Sequence, residues 1–265
     1  MKRRVGIVCD CIKGEDQFIT LERIKKAGFD CIGIDSATSQ DTEKVKKLGE
    51  KAKELGLWVD FVHSPFANIN SMWLDSEDHV EVMEKIKTAI ISAKLSNCKN
   101  VVVHISSGWN SPEICDIGLQ RFDALVDFAK ENGVKIAFEN LRKVGNVAYF
   151  ADRYANNDSV GFCYDSGHEF GYTETVTFAD IFKHRITCTH IHDNFGKIDP
   201  YKDDPDLHHV PFDGKMDYKK MMKNLKKYSY SGALTLEVWN TRHKHMTPDA
   251  FLKMCYKRIT KISKM

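Results

Sequence analysis

No stretch of this 265-residue sequence approaches the roughly 20 consecutive apolar residues that a membrane span requires. The start is basic (Lys2, Arg3, Arg4), but too few apolar residues precede Asp10 for a secretory signal core, so a cytoplasmic protein away from membranes is expected. A one-sided charge is missing as well. Lys plus Arg number 39 against 37 Asp plus Glu, which leaves no broad basic field for nucleic acid and points to a small-molecule partner. The eight cysteines, at 9, 11, 31, 98, 115, 163, 188 and 255, lack the paired spacing of a zinc knuckle. They read as small buried apolar residues in a reducing compartment. There is no glycine-rich phosphate cradle, and Lys143, Lys197 and Lys215 are isolated basic candidates for a phosphate. Linkers, low-complexity tracts and composition shifts are also lacking, so residues 1–265 read as one domain. Whether copies associate into a homo-oligomer is left open.

What is present is a repeating alternation. Short runs rich in Val, Ile and Phe occur at 5–9, 31–34, 59–62, 101–103, 136–138, 160–164, 188–191 and 234–238. Longer amphipathic segments separate them: Leu21, Ile24 and Ala27 keep helical spacing up to a stop at Gly28, and Gly56 and Gly133 close the segments 43–55 and 114–132 in the same way. In 78–95, Met83, Ile86, Ile90 and Ala93 form one stripe. Strands alternating with helices predict a parallel α/β sheet, and eight repeats in about 250 residues predict closure into a single (β/α)8 TIM barrel.

The residues at the strand ends carry the functional signal. In chain order they are Asp10, Asp35, His63, His104, Glu139, Asp165, His190 and Glu237. In such a barrel all eight converge on one mouth, where active sites lie. One acid after a strand is commonly a helix cap, and Asp10 and Asp35 are the weakest members; eight polar ends together suit a metal site built from imidazole and carboxylate. The densest stretch runs from His190 to Asp217, and its connection 195–215 holds three of the six prolines, Pro200, Pro205 and Pro211. Long irregular loops of this kind are usually functional. His208 and His209 point apart in an extended chain, so one of them is expected to face the mouth. Trp73, Trp109 and Trp239 each follow a ligand-bearing strand end and are candidate walls of a pocket.

These residues resemble a family. Phe138-Glu139-Asn140, Tyr164-Asp165-Ser166-Gly167-His168, His190-Ile191-His192-Asp193-Asn194, the segment from Asp206 to Asp217 and Leu234-Thr235-Leu236-Glu237 together resemble the xylose-isomerase-like barrels, which include sugar and sugar-phosphate isomerases and epimerases and also endonuclease IV. The resemblance implies a divalent ion (Mn²⁺, Zn²⁺, Co²⁺ or Mg²⁺) on Glu139, Asp165, His190 and Glu237. It further implies a substrate contact at His168, and an acid/base pair in Glu139 and Glu237 that moves a proton beside a metal-chelated carbonyl through an enediolate. His63, His104, His208 and Trp109 are then expected to contact substrate, and His192 to support the ligands.

The alternative implied by the same resemblance is a zinc-dependent apurinic/apyrimidinic endonuclease holding up to three Zn²⁺, with His63, His104, His168, Asp206 and His208 as added ligands. Three departures favour the isomerase branch. Cys9-Asp10-Cys11 stands where the nuclease has a first-strand His, Ile105-Ser106-Ser107-Gly108 where it has Pro-Gly, and His192-Asp193-Asn194 where it has Asn-Asp-Ser.

Overall fold

The computed structural model describes residues 3–173, 175–197 and 206–265; Pro200 and Pro205, noted above for the long loop, lie outside the described residues. Eight parallel strands form the sheet: β1 Val5–Val8, β2 Cys31–Ile34, β3 Trp58–His63, β4 Asn100–Val103, β5 Lys135–Glu139, β6 Val160–Asp165, β7 Ile186–His190 and β8 Leu234–Leu236. Their order is β7-β6-β5-β4-β3-β2-β1-β8. Between β7 and β8 the ring is closed by Ile191 N–H to Thr235 O at 2.9 Å and Glu237 N–H to Ile191 O at 3.2 Å. The expected (β/α)8 barrel is therefore present, and its closing seam runs directly beside His190 and Glu237.

The outer helices are α1 Gln17–Ala27, α2 Thr42–Glu54, α3 Asp78–Leu95, α4 Asp116–Glu131, α5 Val144–Arg153, α6 Ser166–Tyr172, α7 Phe178–Phe182, α8 Tyr218–Lys227 and α9 Pro248–Ser263. The first begins earlier than its apolar spacing suggests because Asp16 caps it, accepting from the N–H groups of Phe18 and Ile19. It ends at Gly28, whose φ of 105° returns an N–H to Ile24 O and Lys25 O. Apolar faces of these helices cover the ring. On the β5 side Phe122, Phe138 and Phe150 pack edge to face, with centroids 4.8–5.9 Å apart, and all three are buried. Each contributes about 1.5–3 kcal/mol by leaving water. Trp73 belongs to this layer, buried against Phe122 at 5.2 Å with its indole N–H on Ile105 O at 2.6 Å, so it packs the core rather than walling the mouth. Among the described residues no helix is long and apolar enough to cross a membrane.

Candidate metal and substrate site

Three strands, β3, β5 and β6, run one residue further than their apolar runs suggest, and β7 stops one residue short of the end of its run. His63, Glu139, Asp165 and His190 are the last residues of β3, β5, β6 and β7, His104 follows β4, and Glu237 follows β8. A strand end can hold a side chain rigidly because its backbone is already bonded on both sides. Asp165 is also the N-cap of α6, with Oδ1 accepting the His168 N–H at 2.6 Å. The turn that aims His168 inward is thus fixed by the same residue whose Oδ2 faces His190.

The centre of the cluster is His190 Nδ1. Glu139 Oε1 lies 3.0 Å from it, Glu237 Oε2 3.2 Å and Asp165 Oδ2 3.6 Å. One ring N–H can be donated to one oxygen, so three carboxylates around a single nitrogen leave negative charge uncompensated unless a cation joins them. Burial alone would lower the His190 pKa, but Glu237 and Glu139 push it up to about 10. Burial likewise works against an ionised Glu139, yet His190, His104 and His168 hold its carboxyl well below the usual range. Asp165 is lowered in the same way against its burial, by His168 and His192. The residues fit a divalent ion: three oxygens and one imidazole nitrogen is a donor set for Mn²⁺, Mg²⁺, Co²⁺ or Zn²⁺. Ligand atoms of Asp165, His190 and Glu237 all lie within 4.8 Å of one another, as do those of His63, Glu139 and His190.

Around this centre the histidines fall into two groups. On one side, Glu139 Oε2 has His104 Nε2 at 2.8 Å and His63 Nε2 at 3.5 Å, yet it makes no aligned hydrogen bond and is shielded from solvent. On the other side, Asp206 Oδ2 is 3.2 Å from His168 Nε2, and its Oδ1 is 3.1 Å from His208 Nε2. His192 Nε2 stands 3.1 Å from both oxygens of Asp165. Of the adjacent pair, His208 faces the mouth, donating from Nδ1 to Glu237 O over 3.0 Å. His209 instead pairs its backbone with Asp193.

A cavity of about 210 Å³ opens beside Glu237, lined by Phe61, His63, Phe66, His208 and Trp239 among others. Trp239 is held by its indole N–H on Asp10 Oδ2 at 2.8 Å. Trp109 stands on the other side of the mouth, 5.8 Å from Tyr172 and 5.6 Å from the Arg142 guanidinium. It is not among the residues lining the cavity beside Glu237. Sequence reasoning passed over Asn140, which ties β5 to β6: its amide donates to Asp165 O at 2.8 Å and accepts from Asp165 N–H at 2.7 Å, while its own carbonyl lies 2.9 Å from His168 Nδ1. An amide directly after a strand-end glutamate was the only available signal for it.

An eight-stranded barrel with carboxylates and imidazoles gathered at the carboxyl ends of its strands defines a class of proteins, and comparison gives the family. The chain belongs to the xylose isomerase-like TIM barrel family, whose model it matches over residues 21–254. It is 32% identical over 170 residues to the uncharacterized protein y4fM of Sinorhizobium fredii, a match covering 58% of this chain and 52% of that one; the chain thus spans about half the length of that relative. Among solved structures it is similar to the IolI protein with a bound zinc atom (18% identity, TM-score 0.80, covering 99% of this chain and 98% of that one). It is also similar to a D-tagatose 3-epimerase-like protein (21% identity, TM-score 0.76, covering 98% of each chain). At these identities the likeness is one of fold.

Proposed function

We propose that this protein is a metal-dependent isomerase or epimerase of a sugar or sugar phosphate, with Glu139, Asp165, His190 and Glu237 holding the ion. The observation that carries the reading is the convergence of Glu139 Oε1 and Glu237 Oε2 on His190 Nδ1, at 3.0 and 3.2 Å, from β5 and from the end of β8, which are not neighbours in the ring. When bound, a divalent ion supplies Lewis-acid polarisation of a carbonyl and a neighbouring hydroxyl. Glu139 and Glu237 then act from two sides of the substrate, one taking a proton from carbon and the other returning it. Return to the same carbon from the opposite face inverts it, whereas return to the former carbonyl carbon, with a hydroxyl proton passing from one of the two oxygens to the other, isomerises. His168, with Nε2 toward Asp206, donates to a substrate oxygen. His63, His104, His208 and Trp109 bound the rest of the site, and the substrate is a small molecule.

The test is incubation with Mn²⁺ and a panel of ketoses and their phosphates in D₂O. Deuterium is expected at a carbon next to the carbonyl, and a metal-loaded protein that exchanges no substrate of a broad panel would refute the reading. One observation favours a second reading, a zinc-dependent nuclease of the endonuclease IV kind. His63 and His104 both crowd Glu139 Oε2, and Asp206 with His208 forms a further ligand-type pair. That reading expects two or three zinc ions per chain by elemental analysis and nicking of duplex DNA at an abasic site, where the isomerase reading expects one ion and no nicking.

A further inference from the structure

The motif His190 to Asn194 contains one charged residue that the site leaves unexplained. Asp193 is fully buried, and its carboxylate is taken up by three backbone N–H groups, with the Tyr218 hydroxyl also beside it. Oδ1 accepts from Asn194 N–H at 2.9 Å and Met216 N–H at 3.1 Å, and Oδ2 accepts from Phe212 N–H at 2.8 Å. Its main chain exchanges two further bonds with His209, at 2.8 and 2.9 Å, and Asn194 O accepts Lys215 N–H at 2.9 Å. Segment 208–216 is thereby tied to the end of β7.

That segment is under backbone strain. His208 and Phe212 are both left-handed without being glycine, with φ of 46° and 74°, conformations that persist only where surrounding bonds over-determine them. From outside, Arg258 and His243 hold Asp213 at 2.6 and 3.0 Å. Gly214 completes the arrangement, since a Cβ there would lie 2.3 Å from both Asn194 O and Asp193 Oδ1. What the strained segment delivers to the mouth is the His208 ring. It reaches Glu237 O at 3.0 Å, stacks on His192 with centroids 4.0 Å apart and meets Trp239 at 5.0 Å.

We propose that Asp193 is a positioning residue: its carboxylate holds the strained segment 208–216 in place and so sets His208 against Glu237 and Trp239. The catalytic consequence rests on the reading of Glu237 as a proton-transfer group; the structural consequence does not. Asp193→Asn is the informative change, because it keeps shape but turns one accepting oxygen into an amide donor facing a backbone N–H that already donates. Amide hydrogen exchange at Phe212 and Met216 is expected to accelerate by roughly tenfold or more. The fluorescence of Trp239, identified as the share lost in Trp239→Phe, should shift as the imidazole leaves it.

On substrate, kcat should fall by roughly tenfold or more through misplacement of the reacting group, with a smaller change in KM. His208→Ala should give the same emission shift and the same loss of kcat, and the double variant should add nothing to either, as for two residues in one chain of contacts. Gly214→Ala disturbs the same carboxylate by another route and should reproduce the pattern. Wild-type amide exchange and emission in Asp193→Asn, or losses that simply add in the double variant, would overturn the proposal. If the wild type exchanges no substrate at all, the isomerase reading falls, while amide exchange and emission still decide this one.

Discussion

Two arcs of the barrel mouth carry carboxylates at equivalent strand ends and use them in opposite ways. On the β1–β2 arc, Asp35 is saturated by its own loop. Its Oδ1 accepts from the N–H groups of Ala37 and Thr38 at 3.1 and 3.0 Å, and its Oδ2 from Thr38 Oγ1 at 2.7 Å and Gln17 Nε2 at 3.0 Å. Asp10 gives one oxygen, Oδ2, to Lys13 and the Trp239 indole, while its buried Oδ1 has no hydrogen-bond partner. On the β5–β8 arc, Glu139, Asp165 and Glu237 crowd one another around His190 Nδ1, with His104, His63 and His168 beside Glu139 and His192 beside Asp165. A carboxylate surrounded by donors is finished, and adding a cation there gains little. Carboxylates that crowd one another repel, and a cation among them relieves that repulsion. Position in the fold makes both kinds available; the neighbours decide which is a ligand.

The sharpest break between the arcs is expected from Glu237→Gln. On the proposed reading it removes one ligand charge and one of the two proton-transfer groups while preserving size. Turnover should fall by between roughly 10² and 10⁴-fold, with weaker retention of the ion on dialysis. Deuterium exchange into substrate and elemental analysis of the dialysed protein measure the two effects. Full activity in Glu237→Gln would remove the β5–β8 arc from the chemistry.

A third carboxylate sharpens the contrast by having neither a ring of donors nor a cation. Asp60, buried on β3, accepts from Thr235 Oγ1 at 2.7 Å, and burial, only partly offset by that bond and one from the Trp58 side chain, raises its pKa to about 6 from 3.8. A folded-state value above the unfolded one means that the folded protein favours the proton. Asp60 therefore contributes most to stability below about pH 4, and that contribution is lost as pH rises through about 6. A difference of about two units is roughly 3 kcal/mol. Asp60→Asn, which needs no proton, should match the wild type in urea unfolding near pH 4 and exceed it by roughly 2–3 kcal/mol at pH 7.5. A difference between the two proteins that does not change with pH would show that Asp60 ionises without penalty.

Much of this was legible in the sequence, because the period of a strand and the stop of a helix are local. All eight strands lie where Val, Ile and Phe cluster, α3 spans the residues its apolar stripe marks out, and the strand-end residues do converge on one mouth. The misreadings are of another kind. The start of α1 was set by the Asp16 cap rather than by apolar spacing, and the short helices α6 and α7 have too few turns to show a period. Trp73 and Trp239 both follow ligand-bearing strand ends, but Trp73 is in the core and Trp239 beside the cavity. Which side of a loop an indole takes is decided by partners distant in sequence: Ile105 for one, Asp10 for the other. The same holds for Asn140 and Asp193: both stand in motifs the sequence singles out, but their work is done across strands, with partners no local pattern names.

The smallest expected effect is also the cleanest test of the idea that neighbours make the ligand. Asp35 lines the cavity beside Glu237, so proximity alone would make it a candidate for the ion. Its saturation by donors argues otherwise. Asp35→Asn keeps one oxygen for the N–H groups of Ala37 and Thr38, and sets an amide against Gln17 Nε2, so that one hydrogen bond is lost. Thermal or urea unfolding should register a cost of about 1 kcal/mol, and the ion content of the dialysed variant should equal that of the wild type. Asp165→Asn, the equivalent change on the other arc, should instead lose the ion, because it removes charge from the group that needs a cation. If Asp35→Asn sheds the ion as readily as Asp165→Asn, then the metal site extends across both arcs, and the donors around Asp35 are no barrier to its serving as a ligand.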